Sequence, residues 1–163
     1  MTPVKWNVQN PVKNFHGRKE ILDEIHSQLH QSNDCKNKPI ILSGIGGIGK
    51  TQTAAMYIKN HGHMYVNIIW LNALDFQQSL WGLLKFIGIT APNNASVETL
   101  SQLLSKEIQN SASLIVMDDL IDENVQDFMK IIRNLQSITK VSFLVTSQLG
   151  NLDIDDYHIF KVP

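Results

Sequence analysis

The residues of this sequence best suited to chemistry form a glycine-rich stretch, GIGGIGKT, between an apolar run and a segment with helical composition. Its spacing is G-x-x-x-x-G-K-[ST], in which successive backbone N–H groups surround the phosphates of a nucleotide. The N-terminus of the following helix adds partial positive charge. We therefore predict a phosphate-binding loop rather than a plain glycine-rich turn. Its predicted binding residues are Gly44, Gly46, Gly47, Ile48, Gly49, Lys50 and Thr51.

Three side chains at the end of this stretch have separate predicted roles. Lys50 is expected to reach the β- and γ-phosphates as a point charge and to act in catalysis. The Thr51 hydroxyl is expected to coordinate Mg²⁺, and the Gln52 amide to approach the α-phosphate. The predicted ligand is thus a nucleotide with its metal ion.

A second candidate for chemistry is a pair of acids at the end of the apolar run LIVMDDL. A phosphate-binding loop needs a carboxylate on a neighbouring buried strand to hold Mg²⁺, and Asp118 is predicted to do this through the water shell of the ion. Asp119 is predicted to polarise an attacking water molecule. Acids are also common in turns, so the glycine loop upstream is what favours the functional interpretation.

The remaining pattern indicates the elements that must position these residues. Apolar runs at IILS, MYVNIIWLNA, SLIVMDDL, KVSFLVTS and YHIFKV predict five buried strands. Amphipathic helices alternate with them, the first from Arg18 and one ending near Gly62, a suitable C-terminal cap. Residues 1–17 are interpreted as an extended entry segment, and residues 18–163 as one domain. Alternating strands and helices predict a parallel α/β sheet with its ligand at the carboxyl ends of the strands.

Composition excludes several functions. The chain has 163 residues and a net charge of −1, so it carries no basic surface that would favour nucleic acid or an anionic membrane. No segment resembles a signal peptide or a membrane span, and the single cysteine agrees with a reducing compartment, so we expect a cytoplasmic protein. A zinc site at His26 and His30 is disfavoured because no third ligand lies near in sequence.

Taken together, FHGRKEILDEI, GIGGIGKTQTA, VNIIWLNA, SLIVMDDL and KVSFLVTS resemble the nucleotide-binding domain of NB-ARC proteins. These belong to the STAND class of P-loop signalling ATPases, and the likeness is to members with tetratricopeptide repeats. The resemblance implies a three-layer sandwich, in which a mainly parallel five-stranded sheet in strand order 5-1-4-3-2 has helices on both faces. The same resemblance implies that the domain binds ATP or ADP with Mg²⁺. It also implies that Phe15, His16, Gly17 and Arg18 lie over the adenine, and that Lys50 and Thr51 are Walker A contacts.

Two departures from that family bear on function. The family usually has an arginine that senses the γ-phosphate after the fourth strand, where this sequence has Ser147 and Gln148 as the expected nucleotide contacts. A neutral amide stabilises transition-state charge less well than a guanidinium, so slow or absent hydrolysis is expected. The sequence also ends at Pro163, about where the family continues into helical and winged-helix domains.

These observations favour a nucleotide-dependent signalling switch, which in a full-length protein would assemble in a nucleotide-dependent way. One alternative is a non-catalytic protein-interaction module that keeps the fold, which the Gln148 substitution favours. Another is a small-molecule kinase, which is disfavoured because the chain has only two arginines, Arg18 and Arg133, for a cationic lid.

Overall fold

The computed structural model describes residues 3–12, 19–30, 38–44, 48–136, 138, 140–147 and 158–161. Within these residues, strands and helices alternate as the apolar runs predict. The helices are α1 (Lys19–Leu29), α2 (Ile48–His61), α3 (Phe76–Phe86), α4 (Val97–Ile108) and α5 (Val125–Leu135). The strands are β1 (Lys5–Trp6), β2 (Ile40–Ser43), β3 (Asn67–Asn72), β4 (Ser113–Leu120), β5 (Val141–Ser147) and β6 (His158–Lys161).

The strands form one sheet in the order β1-β3-β4-β5-β2-β6, and every neighbouring pair is parallel. When only the five predicted strands are counted, their order is the expected 5-1-4-3-2. The parallel α/β fold class is therefore confirmed. Parallel strands align all their carboxyl ends at one edge, so β2, β4 and β5 present their ends side by side.

Alternate side chains of the strands enter two separate apolar clusters, one on each face of the sheet. One cluster contains Ile69, Ile115 and Phe143 together with residues of α3, α4 and α5. The other contains Trp70, Val116 and Leu144 together with residues of α1 and α2. The central strands are buried on both faces, which explains why their sequences are continuous apolar runs rather than alternating ones.

The sheet differs from the predicted one by a sixth strand, β1, at its edge. The interpretation of residues 1–17 as an extended segment without elements was therefore wrong for Lys5 and Trp6, which pair with Ile68 and Ile69 of β3. The Val4 N–H also donates to the Asn67 Oδ1 atom at 3.0 Å. A two-residue strand has no recognisable periodicity, so a tertiary contact of this kind determines it.

Two helix ends show how the local sequence determines where a helix begins or ends. Ser96 caps α4 by accepting a hydrogen bond from the Thr99 N–H at 3.1 Å. Gly62 is buried and begins a short 3₁₀ helix after α2, in place of the simple cap predicted there. No helix in the described part of the chain is long and apolar enough to cross a bilayer.

Candidate nucleotide-binding site

The carboxyl edge of the sheet brings together most of the described residues for which the sequence predicted chemistry. Chain order and strand order together cause this, because Gly44 follows β2 on the way to α2, while β5 lies beside β2 and β4 lies beside β5. Lys50 and Thr51 lie in the first turn of α2. The two carboxylates Asp118 and Asp119 lie at the end of β4.

Lys50 is almost completely buried, with 4% of its surface exposed. Its Nζ atom donates to the backbone carbonyl oxygen of Gly44 at 2.9 Å, so the lysine side chain reaches back to the residue that follows β2. The positive charge of Lys50 also lowers the pKa of Asp119, although burial has the larger, opposite effect on that carboxyl. The Lys50 ammonium group is therefore held beside the residue that follows β2.

Asp118 accepts hydrogen bonds from two hydroxyls that approach it from different elements. The Thr51 Oγ1 atom of α2 donates to the Asp118 Oδ1 atom at 2.9 Å, and the Thr146 Oγ1 atom of β5 donates to the same oxygen at 2.5 Å. Because the Thr51 hydroxyl donates its proton to the carboxylate, it keeps its lone pairs for a cation, and hydroxyl and carboxylate oxygens are ligands that Mg²⁺ prefers. These donor groups therefore fit a magnesium ion.

Asp119 lies at an irregularity of β4, where the register with β5 shifts between Met117 and Leu120. Its φ is 69°, in the left-handed region that few residues other than glycine adopt. The Asp119 N–H donates to the Thr146 Oγ1 atom at 2.9 Å, which holds the backbone in this conformation. Burial raises the pKa of the Asp119 carboxyl, the nearby Asp118 charge raises it further, and Lys50 opposes both effects.

Thr146 is the residue of this edge whose role sequence reasoning missed. It is fully buried, donates to Asp118 and accepts from the Asp119 N–H, so one hydroxyl links both acids. The available signal is a polar residue near the end of the otherwise apolar run KVSFLVTS, which the sequence predicts only as a buried strand.

Three other residues that the sequence predicted to contact the nucleotide make hydrogen bonds to protein groups in the structure. The Gly49 carbonyl oxygen accepts a hydrogen bond from the Thr53 Oγ1 atom at 2.6 Å, within α2. Ser147 is fully buried, and its hydroxyl donates to the Leu120 carbonyl oxygen at 2.9 Å. The Gln52 Oε1 atom accepts a hydrogen bond from the Val12 N–H. The nucleotide contacts proposed for these residues stay predictions.

Several predicted residues lie outside the described part of the chain, together with the side chain of Ile48. They are Phe15, His16, Gly17, Arg18, Gly46, Gly47 and Gln148.

Two histidines set aside as zinc ligands belong instead to a polar cluster between α1 and α2. The His26 Nδ1 and His30 Nε2 atoms lie 3.0 Å from the hydroxyls of Tyr57 and Tyr65 respectively. The two tyrosine hydroxyls lie 2.8 Å apart, and the His61 ring stacks on His26 with 4.1 Å between centroids. Burial lowers the pKa of both His30 and His61. Among the described residues, no three His, Cys, Asp or Glu side chains are arranged to hold a metal ion.

A cavity of about 470 Å³ lies elsewhere, between Val4 and the carboxyl-terminal ends of α3 and α4. Helices of a parallel α/β unit end at the edge of the sheet where the next strand begins, so this cavity lies away from Lys50 and Asp118. Its lining is apolar except for Glu107, and none of the predicted site residues contributes to it.

The fold and the residues at the carboxyl edge of its sheet define the class. This is a P-loop NTPase-like domain, a three-layer sandwich of one parallel sheet with helices on both faces. The sequence matches the NB-ARC domain family over residues 18–155, which is most of the chain. The chain therefore belongs to the NB-ARC domain family, and the resemblance drawn from its motifs is confirmed. A comparison with curated proteins found no match.

Solved structures with the same fold include a STAND protein with a tetratricopeptide repeat sensor from Pyrococcus horikoshii. It has a TM-score of 0.60 and 24% identity, with 98% of this chain and 25% of that chain covered. DnaA from Aquifex aeolicus bound to AMPPCP has a TM-score of 0.56 and 18% identity, with 96% and 50% covered. The Drosophila ORC structure with GC-rich DNA and Cdc6 has a TM-score of 0.59 and 16% identity, with 94% and 62% covered.

This chain thus spans a quarter of the length of the STAND protein and half that of DnaA. Because one of these structures is a complex with DNA, the expectation that this chain does not bind nucleic acid stays a prediction.

Proposed function

We propose that the domain binds ATP or ADP with Mg²⁺ and serves as the nucleotide-sensing part of a STAND-type signalling switch. The observation that carries the proposal is the set of contacts joining Lys50 to Gly44 and Thr51 to Asp118. A buried ammonium, a hydroxyl and a carboxylate meet at the start of one helix, which is the chemistry that a magnesium–nucleotide complex requires. Membership of the NB-ARC family supports the same conclusion.

Each group has a definite proposed task. Lys50 exchanges its bond to the Gly44 carbonyl for a bond to a phosphate oxygen, which is a stronger, charge-assisted acceptor. Thr51 and Asp118 orient each other for the metal, which when bound would neutralise phosphate charge. Asp119 orients water, and its raised pKa makes its carboxylate a better proton acceptor than a solvent-exposed one.

Hydrolysis is expected to be slow. Gln148 occupies the position at which the family usually has an arginine, and a neutral amide contributes less to stabilising the charge that develops on transfer of the γ-phosphoryl group. A switch that hydrolyses slowly retains each nucleotide state for a long time. It also needs different affinities in its two conformations, since a ligand that binds both equally shifts neither.

The test is a calorimetric titration of the purified chain with ATP and ADP in the presence of Mg²⁺, alongside Lys50→Ala. Lys130→Ala is the matched control, because Lys130 is a surface lysine 3.7 Å from Asp127. The parent and the control are expected to bind at micromolar concentration, about 8 kcal/mol of binding free energy, and Lys50→Ala to lose most of it.

Two results would contradict the proposal. One is a folded parent that binds neither nucleotide at millimolar concentration, and the other is an equal loss in Lys130→Ala. The first result would favour the second candidate, a protein-interaction module that keeps the fold, which Gln148 already favours. Under that candidate, fold and partner binding are unchanged in Lys50→Ala.

A further inference from the structure

The cavity beside Val4 lies away from the phosphate-binding loop and has the size of a small-molecule site. Its volume is about 470 Å³, within the roughly 300–1,000 Å³ that pockets for small ligands occupy. Ile69 of β3 lines it, together with apolar residues from the C-terminal halves of α3 and α4, among them Leu83 and Leu104. An apolar group of a ligand would therefore leave water for an apolar surface here.

Phe86, the last residue of α3, gives the cavity an aromatic wall that faces solvent. Its side chain lines the cavity and is nevertheless 61% exposed, the largest value among the exposed large apolar residues of the described chain. The ring of Trp6 supports it, with 5.3 Å between the two ring centroids, and Trp6 in turn packs closely on Gly82 of the same helix. A ligand that covers Phe86 would remove from water an apolar surface that the fold leaves uncovered.

The charge around this cavity is negative. Glu107 is the charged residue among the described residues that line it, and its side chain is exposed. The C-termini of α3 and α4, which both lie at the cavity, add partial negative charge. Lys85 and Lys106 belong to the same last turns but are not among these lining residues, and the Lys85 Nζ atom lies 5.2 Å over the Trp81 ring. The surroundings of the cavity therefore favour a cation.

We propose that this cavity binds a small amphiphilic amine. An alkyl or arylalkyl group of the ligand packs against Ile69, Phe86 and Leu104, and its ammonium group remains in solvent beside the Glu107 carboxylate. A neutral apolar molecule gains only the first of these interactions, and the Glu107 charge repels an anionic one. The inference does not depend on nucleotide binding, because none of the residues predicted to contact a nucleotide lines the cavity.

NMR of isoleucine and leucine methyl groups, with phenylbutylamine and its neutral counterpart phenylbutanol as probes, tests the proposal. The two molecules share their apolar part and differ in charge at neutral pH, since an alkylammonium has a pKa near that of lysine. The methyl signals of Ile69, Ile87 and Leu104 should shift, whereas those of Leu42, in the cluster on the other face of the sheet, should not. We expect the amine to bind at about millimolar concentration and roughly threefold more tightly than the alcohol. High salt should abolish that difference, because it screens an exposed ion pair.

Two substitutions separate the charge of the site from its apolar surface. Glu107→Gln keeps the shape of the side chain and should weaken phenylbutylamine about threefold without affecting phenylbutanol. Phe86→Ala removes the exposed ring and should weaken both probes about fivefold. The matched controls are Glu123→Gln, at an exposed carboxylate before α5, and Leu74→Ala, at an apolar side chain that is 52% exposed. Since all four side chains are exposed, the variants are expected to fold, and the two controls should bind both probes like the parent.

Several results would overturn the inference. One is that phenylbutylamine at tens of millimolar leaves the methyl signals of Ile87 and Leu104 unshifted, or shifts Leu42 as strongly. Another is that phenylbutanol binds as tightly as the amine at low salt, which would assign the cavity to neutral ligands. If Glu107→Gln and Glu123→Gln weaken the amine equally, the effect comes from net charge rather than from this site. Unchanged affinities in Phe86→Ala would place the probes elsewhere on the protein.

Discussion

Thr146→Val tests whether one buried hydroxyl holds the two acids of β4 in place. Valine has nearly the shape of threonine, so the substitution leaves packing at this fully buried position almost unchanged. What it removes is a hydroxyl that donates to the Asp118 carboxylate at 2.5 Å and accepts from the Asp119 N–H at 2.9 Å.

The expected loss follows from these two bonds. A hydrogen bond to a charged group contributes roughly 1.5–3 kcal/mol, and a partly buried N–H deprived of its acceptor costs about 1 kcal/mol more. The left-handed conformation of Asp119 then lacks its support. We expect the free energy of unfolding to fall by about 3 kcal/mol, which for a chain of this length lowers the melting temperature by roughly 6–12 °C.

The assay is urea unfolding of the parent, Thr146→Val and Thr146→Ser at constant pH. Serine keeps the hydroxyl and loses only a methyl group, so it should cost about 1 kcal/mol. The reasoning is refuted if the valine variant unfolds within about 1 kcal/mol of the parent, or if serine is as destabilising as valine. Either result would mean that the contacts of Thr146 do not hold Asp118 and Asp119.

Three further substitutions or conditions test other parts of the structure. Burial lowers the pKa of His30 and His61 from 6.5, so near that pH the native state binds fewer protons than the unfolded chain. The melting temperature should therefore decrease as the pH falls below about 6.5. A melting temperature that stays constant from pH 8 to 5 would contradict this. Because burial raises the pKa of Asp119, its charge destabilises the fold at neutral pH. Asp119→Asn should therefore raise the melting temperature while reducing any ATP turnover. A lower melting temperature in this variant would contradict the prediction. In Gly62→Ala the added Cβ would lie 3.1 Å from the Ile68 Cδ1 atom, and urea unfolding should show a loss of about 1 kcal/mol; an unchanged midpoint would mean that Ile68 moves aside freely.

The strands and helices could be predicted because burial on both faces imposes continuous apolar runs, and helices repeat their apolar positions. Strand order came from the family resemblance, since periodicity does not specify which strands are neighbours. The short strand β1 could not be predicted in either way. Only the contacts of Val4 and Trp6 with β3 and the cluster beneath α3 and α4 make it a strand.

The candidate site likewise contains residues that a local pattern predicts and residues that only distant contacts bring into place. The positions of Lys50 and Thr51 at the start of α2 could be predicted because a local spacing determines them, and that of Asp118 because it lies near the end of a buried strand. Their roles at a nucleotide stay predictions. Thr146 and Gln52 are different, since their partners lie 28 and 40 residues away in sequence and are brought to them by strand order and by the path of residues 3–12. A pattern in a short window of sequence contains no information about such contacts.

The charges at the carboxyl edge connect the magnesium proposal with slow hydrolysis. Among the described residues named at this site, Lys50 supplies one positive charge and Asp118 and Asp119 supply two negative ones, which by themselves repel a polyphosphate. Of the two arginines in the chain, Arg133 lies in the last turn of α5, which ends at the opposite edge of the sheet, and Arg18 is outside the described residues. A divalent cation between Asp118 and the phosphates would reverse this balance for binding. It would not replace an arginine at the γ-phosphate, so under the proposed function the arrangement would favour holding a magnesium–nucleotide complex over stabilising the transition state of hydrolysis.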